Sequence, residues 1–435
     1  MKYPKILIVS RLNWDDTSVS NTLTNLFGDY DPDKIARIYI ETQQPNTRCC
    51  HRFYQISEFA LLKKLYKWDQ KTGKVILTDG QVKAKIVTED SNSQKEASLM
   101  NWVRGHRSLL FSILREFLWC FNTWKTKELE LFIKDFDPDV IWLDGSPLIL
   151  MNRMNNYVYK VANKPAVTFL MDDVYTYKSC TGFFHKIFKY FLRKHVKETV
   201  AHVNHVFVSS QKMKQEYDEI FGVNSTFITK SFDTNPIVTN VETIHKPVRM
   251  VYLGNTLIGR LESLIYIAES MKAINKNGQK LTLSVYTNSV ISESDKKRLL
   301  CDSGVQLLPP VSFAKVPDII AENDVQVFTE SLDGRFMSVA RLSFSTKIID
   351  YIRSGKCILA VGPKDVAPIE YFKNEDAALV ATTKDELMDC LLRLTDENVI
   401  REYAGKAVEC GKRNHDEAIM HNRIYSILEQ VAKQK

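Results

Sequence analysis

The sequence predicts an α/β chain built from two doubly wound domains. Three observations carry that reading. The N-terminal stretch runs strand, polar loop, helix, with Ile6 to Ser10 apolar, Arg11 to Ser20 polar, and a helical pattern from Val19 to Phe27. This is the opening unit of a parallel sheet. The same rhythm restarts at Arg249 to Leu253, after a polar segment from Thr234 to Lys246 that carries Pro236 and has the composition of a linker. The stretch Arg341 to Gly362 then reads RLSFSTKIIDYIRSGKCILAVG, a helix followed by a strand, and the C-terminal half is organised around it.

That stretch has three parts. Ser343, Ser345 and Thr346 are small hydroxyl residues at a helix start. Lys347 to Arg353 alternates apolar Ile348, Ile349, Tyr351 and Ile352 with polar Lys347, Asp350 and Arg353 at helical spacing. Ser354-Gly355 stops the helix, because glycine takes the left-handed C-cap conformation without Cβ strain. Cys357 to Val361 is a short apolar run, read as a buried parallel strand. A helix start lined with Ser, Thr and Lys suits an anion, since N–H groups, hydroxyls and the positive dipole end converge there. An ordinary capped helix would carry the same pattern.

The totals bound the answer. A length of 435 residues suits two or three domains with ample core. No apolar run approaches the roughly 18 residues of a spanning helix. The N-terminal run reads as a first strand rather than a signal peptide. The eight cysteines are scattered without a CxxC, which fits buried reduced thiols and offers no zinc site. The net charge of +7 is compatible with anionic partners. No nucleic-acid motif accompanies it and the basic residues are spread out, so no nucleic-acid partner is expected.

The elements follow in order. The loop after the first strand lacks GxGxxG, which argues against a dinucleotide turn. Ile35 to Ile40 reads as the second strand, residues 41 to 100 are weakly patterned, and Trp102 to Ile133 reads as one long helical region. Val140 to Asp144 and Ala166 to Met171 are strands, the second followed at once by Asp172 and Asp173. Phe183 to Lys197 has basic residues at 186, 189, 193, 194 and 197, with Phe184, Phe188, Phe191 and Leu192 on another helical face. Two readings stand: a helix lying on an anionic membrane surface, or a buried apolar face with a solvated basic side. His205 to Ser210 is a strand and Gln211 to Phe221 its helix. In the second half, Leu281 to Thr287, Val305 to Leu308 and Asp324 to Thr329 are strands, the last delivering Glu330 at its end. Ala418 to Ala432 is the terminal helix.

The stretch from Ser345 to Lys356 resembles the donor-binding segment of GT-B glycosyltransferases of the family 4 type. Lys347, Asp350, Tyr351, Gly355 and Lys356 stand at the family's Lys, acidic, Tyr, Gly and Lys positions, with Asp in place of the usual Glu. The strand and helix around Ser209 to Gly222 are similar to the end of that family's first domain. The resemblance implies two Rossmann-like domains facing a cleft, with the last helix returning to the N-terminal domain. The domains expected are residues 1–235 with 416–435 for the acceptor, and 247–415 for the donor. It also implies a nucleotide-sugar donor, a glycan or lipid-linked acceptor in polysaccharide biosynthesis, retention of configuration, and no metal or other cofactor. The scattered cysteines lead us to expect a cytoplasmic chain, and the membrane reading of 183–197 would make it peripheral on the inner face of the plasma membrane.

Candidate residues follow. A diphosphate held without metal needs Arg or Lys together with N–H donors. Arg260 and Asn255, in the turn GNTLIGR, and Lys347 with the Ser345 and Thr346 hydroxyls are the donor candidates. Asp350 offers two acceptors to a ribose diol, or pairs with Lys347 or Arg353 on the helix surface. The family's earlier Glu would fall on Leu342, so Glu330 takes its place as the carboxylate near the donor sugar. Asp172 or Asp173 is the candidate base for the acceptor hydroxyl. Met171 stands where many family members have His, so that role does not transfer. The triplet Met171-Asp172-Asp173 also looks like the DxD metal pair of GT-A enzymes, but spacing and domain order argue against it. Adjacent carboxylates at a strand end are otherwise often a helix cap. A nucleotide-sugar epimerase on the same fold and a non-catalytic membrane-associated scaffold are the alternative functions.

Overall fold

The computed structural model describes residues 3–18, 21–82, 109–180, 182–235, 239 and 243–434. Among the described residues, fourteen strands form two sheets. The first contains β1 (Ile6–Val9), β2 (Ile35–Tyr39), β3 (Arg52–Ile56), β4 (Gly73–Leu77), β5 (Val140–Gly145), β6 (Ala166–Leu170), β7 (His205–Val208) and β8 (Thr226–Phe227), in the order β4-β3-β2-β1-β5-β6-β7-β8. Every pairing is parallel except β3 with antiparallel β4. The second contains β9 (Val248–Leu253), β10 (Leu281–Tyr286), β11 (Val305–Leu308), β12 (Val325–Thr329), β13 (Cys357–Val361) and β14 (Leu379–Ala381). Its order is β11-β10-β9-β12-β13-β14, all parallel.

The central strands are buried along their whole length, β1, β2, β12 and β13 among them. This is why they read as continuous apolar runs rather than as alternating ones. In the second sheet one core packs Met250, Val285, Val327 and Leu359 against the helix Arg260–Ile274. On the opposite side Phe328, Ile358 and Ala360 meet Ile348 and Ile352 of the helix Lys347–Arg353. The order reverses between β9 and β12, and in the first sheet between β1 and β5. Ligands of open α/β sheets bind beyond the carboxyl ends of the strands at such reversals.

The contact pattern divides the chain into two compact units. One holds residues 1–209, 214–228 and 421–435; the other holds 210–213 and 229–420. The terminal helix Glu417–Ala432 returns to the first unit. There the Tyr425 hydroxyl donates to the Leu26 carbonyl at 3.0 Å, and His421 lies 2.7 Å from the Asn25 carbonyl. Tyr425 also packs against the rings of Tyr3, Phe27 and Tyr30.

Differences from expectation sit outside the sheet centres. The weakly patterned residues 41 to 100 contain β3, the helix Glu58–Lys64 and β4, while 83–100 lie outside the described residues. The edge strand β4 is half exposed, so its sequence carries no strong apolar signal. The helical region expected from Trp102 to Ile133 holds two helices, Leu109–Cys120 and Lys127–Phe136, with residues 102–108 outside the described residues. Asn122 adopts a positive φ of 56° between them, and Thr126 caps the second by accepting from the Leu129 N–H. Of the expected linker, residues 236–238 and 240–242 lie outside the described residues.

Candidate functional site

The second unit gathers its charge at the reversal between β9 and β12. At the end of β9 the chain turns through Gly254 and Gly259, with φ of +153° and +76°, into the helix that begins at Arg260. A Cβ on Gly259 would lie 2.2 Å from Ser331 Oγ, so the turn needs glycine for space as well as for its backbone angle. The turn aims Arg260 at Glu330, the first residue past β12. The guanidinium donates to both carboxylate oxygens, at 2.9 and 3.2 Å, and to Asn255 Oδ1 at 3.2 Å. Glu330 is 3% exposed. Burial pulls the Arg260 pKa down, but the Glu330 charge and hydrogen bonds, with Tyr252 and Tyr351, together outweigh it and raise it. Ser263, fully buried, donates to the Glu330 carbonyl at 2.6 Å and accepts from the Leu332 N–H at 2.9 Å, which pins the loop after β12.

Lys347 enters the same place from its own helix. Its Nζ donates to the Leu253 carbonyl at 2.8 Å and lies 5.7 Å from the Tyr252 ring centre. A Cβ on Gly254 would stand 1.8 Å from that Nζ, so the missing side chain is what admits the lysine. Burial, with Arg260 adding to it, pulls the Lys347 pKa down to about 8 against the opposing Glu330 and Asp350 charges. An ammonium has three donors and the Leu253 carbonyl uses one. Asp350, one turn on, is half buried; burial raises its pKa, and Lys230 lies 4.0 Å away.

Sequence reasoning thus placed Asn255, Arg260, Glu330 and Lys347 together, and the fold brings them together. Ser345 and Thr346 precede the seven-residue helix half-buried. Thr346 stands at the N-cap with helical backbone and makes no capping bond through its side chain. Gly355 has the expected positive φ, 67°. Gly254 and Gly259 were read as part of the turn before Arg260; the bonds by which Ser263 holds the loop after β12 were not foreseen. A shallow pocket of about 290 Å³ lies beside this region at the ends of β10 and β11, lined by Thr287, Ser289, Ile291, Lys296, Leu308 and Pro309.

The first unit fills its reversal differently. Arg37, on β2 and 2% exposed, donates from Nε at 3.0 Å and Nη2 at 2.6 Å to Ser10 Oγ at the end of β1. Its Nη2 also donates to the Leu12 carbonyl at 2.6 Å. Its Nη1 is buried without a hydrogen-bond partner among the described residues. Burial drives the Arg37 pKa down to about 10. Asp144, at the end of β5, is pushed up to about 6 by burial; Arg37 and Arg11 oppose the rise and Asp172 adds to it.

The two aspartates after β6 separate. Asp173 is buried and fully engaged: its carboxylate accepts from the Tyr175 N–H at 3.2 Å, the Thr176 N–H at 2.8 Å, the Thr176 hydroxyl and the Tyr217 hydroxyl at 3.2 Å. It builds the turn that leads out of the strand. Asp172 is exposed. Among the described residues no three His, Cys, Asp or Glu side chains are grouped as metal ligands.

No protein-family model matches the chain, and no curated protein matches it. Solved structures do. A trehalose-6-phosphate synthase from Burkholderia multivorans matches with a TM-score of 0.60 at 10% identity, over 98% of this chain and 96% of that one. The E. coli trehalose-6-phosphate enzyme bound with UDP-2-fluoro glucose matches with a TM-score of 0.61 at 10% identity, over 98% and 99%. TarM matches with a TM-score of 0.51 at 15% identity over 69% of this chain; the chain spans 57% of TarM. The two predominantly parallel sheets, their strand order and these likenesses establish the GT-B fold of glycosyltransferases.

Proposed function

We propose that the chain is a glycosyltransferase that moves a sugar from a nucleotide diphosphate sugar to a glycan or lipid-linked acceptor in polysaccharide biosynthesis. In this reading it retains anomeric configuration, needs no metal, and works on the cytoplasmic side as a peripheral protein. The observation that carries the reading is the meeting of Lys347, Arg260 and Asn255 at the β9–β12 reversal, with Glu330 fixing the guanidinium. Two cations at one strand end suit a diphosphate, whose charge grows as the sugar leaves. Lys347 would meet that charge with its remaining donors, and Arg260 would be held in place for it by Glu330. In this arrangement Glu330 acts through Arg260, and Asp350 serves the ribose hydroxyls. The pocket at Thr287 to Pro309 would receive the base, which needs apolar walls and a few polar groups. In the first unit Asp172, exposed just past β6, would be the carboxylate that meets the acceptor.

The solved structures support a UDP-type donor as the first to try. A mutant of S. aureus TarM is described in complex with fondaparinux, α-GlcNAc-glycerol and UDP, and pneumococcal GtfA in complex with UDP and GlcNAc. The test is release of nucleoside diphosphate from UDP-, GDP- and ADP-sugars in the presence of a glycan and lipid extract, with and without EDTA. Release from one donor, unchanged by EDTA and abolished in Lys347→Met, is expected. Release that survives Lys347→Met unchanged would remove the site from the reaction. Release that needs a divalent ion would overturn the metal-free reading.

A further inference from the structure

The helix Phe183–His202 turns apolar side chains both inward and outward. Its expected apolar face is split. Leu192 is buried with Val196 and Val200, but Phe183, Phe184, Ile187, Tyr190 and Phe191 are exposed, between 41% and 73%. Phe183, Ile187, Tyr190 and Lys194 fall at i, i+4, i+7 and i+11, one stripe along the helix, with Phe184 and Phe191 beside it. Lys186, Lys194 and Lys197 are exposed among these rings. From Phe183 to Lys197 there is no acidic residue. The cations that do turn inward are used by the fold. Lys189, 8% exposed, donates to the Asp173 carbonyl at 2.7 Å, and Arg193 donates to the Tyr175 carbonyl at 2.9 Å. Arg193 also covers the rings of Tyr175 and Tyr177, at 4.0 and 4.6 Å.

A globular fold does not place five large apolar side chains on one exposed helix stripe to serve its own core. The stripe mixes Phe and Ile with Tyr, whose ring is apolar and whose hydroxyl stays wet, and surrounds them with lysines. That is the composition of a helix lying in a bilayer interface: rings reach the acyl boundary while ammonium groups stay at the headgroups. Among the described residues no helix is long and apolar enough to cross a membrane. We infer that this face docks on an anionic lipid surface, with Phe183, Phe184, Ile187, Tyr190 and Phe191 inserted and Lys186, Lys194 and Lys197 against the headgroups. The uniform positive charge selects that occupant. A second copy of the same face would set lysines against lysines, and a protein groove would need its own acidic rim.

The docking stands on the first unit alone. One consequence rests on the glycosyltransferase reading: the helix that docks also holds the loop Asp172 to Tyr177 through Lys189 and Arg193, so docking would fix that loop relative to the bilayer that delivers a lipid-linked acceptor. The two are separable by experiment. Full-length protein is sedimented with vesicles of phosphatidylglycerol and phosphatidylcholine, and with phosphatidylcholine alone, at low and high salt. The wild type is expected to bind the anionic vesicles at least ten times more tightly than the neutral ones, and less as salt rises. Phe184→Ser with Phe191→Ser should lose that binding at least tenfold at unchanged melting temperature, since both side chains are exposed. Lys186→Gln with Lys194→Gln and Lys197→Gln should remove the preference for anionic lipid. Absence of wild-type binding to anionic vesicles overturns the inference, as does undiminished binding by the serine pair. Self-association in sedimentation velocity that the serine pair abolishes, with no vesicle binding, assigns the face to a second copy instead. Nucleoside-diphosphate release by the serine pair, assayed with a soluble acceptor, should persist whichever way the vesicle result falls.

Discussion

Two sheets that share a run of six parallel strands in one order, β3-β2-β1-β5-β6-β7 and β11-β10-β9-β12-β13-β14, put opposite chemistry at their reversals. In the second unit the cation is matched: Arg260 meets both oxygens of Glu330, and Lys347 lies over a glycine that leaves it room. In the first unit the buried Arg37 makes its bonds to a serine hydroxyl and a carbonyl, and keeps Nη1 without a hydrogen-bond partner among the described residues. The comparison teaches that the fold supplies a place for a ligand but not its charge. A preorganised pair of cations is built in one unit, and a desolvated arginine beside a carboxyl of raised pKa in the other.

The largest contrast should appear in stability. Arg260→Ala leaves Glu330 buried without its partner and should cost about 3 kcal/mol in chemical denaturation. Arg260→Met with Glu330→Leu should recover most of that loss. Arg37→Met removes a buried charge along with its hydrogen bonds and should cost about 1 kcal/mol or less. Equal losses for Arg260→Ala and Arg37→Met would erase the distinction. Next comes binding: Lys347→Met should weaken a nucleoside diphosphate about 10- to 100-fold by calorimetry, as loss of a charge-assisted contact does. Ser263→Ala should cost about 1–2 kcal/mol, through two hydrogen bonds that hold the loop after β12.

The smallest and most diagnostic effects are in pH. The Lys347 pKa is lowered to about 8, so the unfolded chain binds this proton more tightly. The Lys347 contribution to stability therefore rises with pH from about 8 towards the ordinary lysine value, while diphosphate affinity falls over the same window as the cation is lost. Asp144 has the opposite sign. Its raised pKa gives a contribution present at low pH and lost as pH climbs from the ordinary carboxylate value through about 6. Lys347→Met should flatten the first dependence, and Asp144→Asn the second, in melting temperature measured against pH.

Much of the second unit was legible in the sequence. Parallel strands buried on both faces write continuous apolar runs, and helix stops such as Gly355 write glycine. Lys347, Arg260 and Glu330 were legible as strand-end and helix-start residues. What was hidden is pairing across the sheet: nothing local says that Arg260 and Glu330 satisfy each other, or that Ser263 ties two loops. The edge strand β4 was illegible because a half-exposed strand lacks periodic apolar content, and buried β3 because its sequence RFYQI mixes polar with apolar residues. The helix Phe183–His202 was legible in part. Its helical periodicity was legible but left two readings open, and only the structure shows Lys189 and Arg193 turned inward onto carbonyls with Phe184 and Phe191 exposed.

The most direct test of the donor site is the thermal shift of the purified chain with UDP, GDP, ADP and CMP, each with and without magnesium. A ligand that binds only the native state raises its melting temperature. The account predicts a shift with one nucleoside diphosphate, equal with and without magnesium and lost in Lys347→Met. A shift that requires magnesium, or one that Lys347→Met leaves intact, would contradict it.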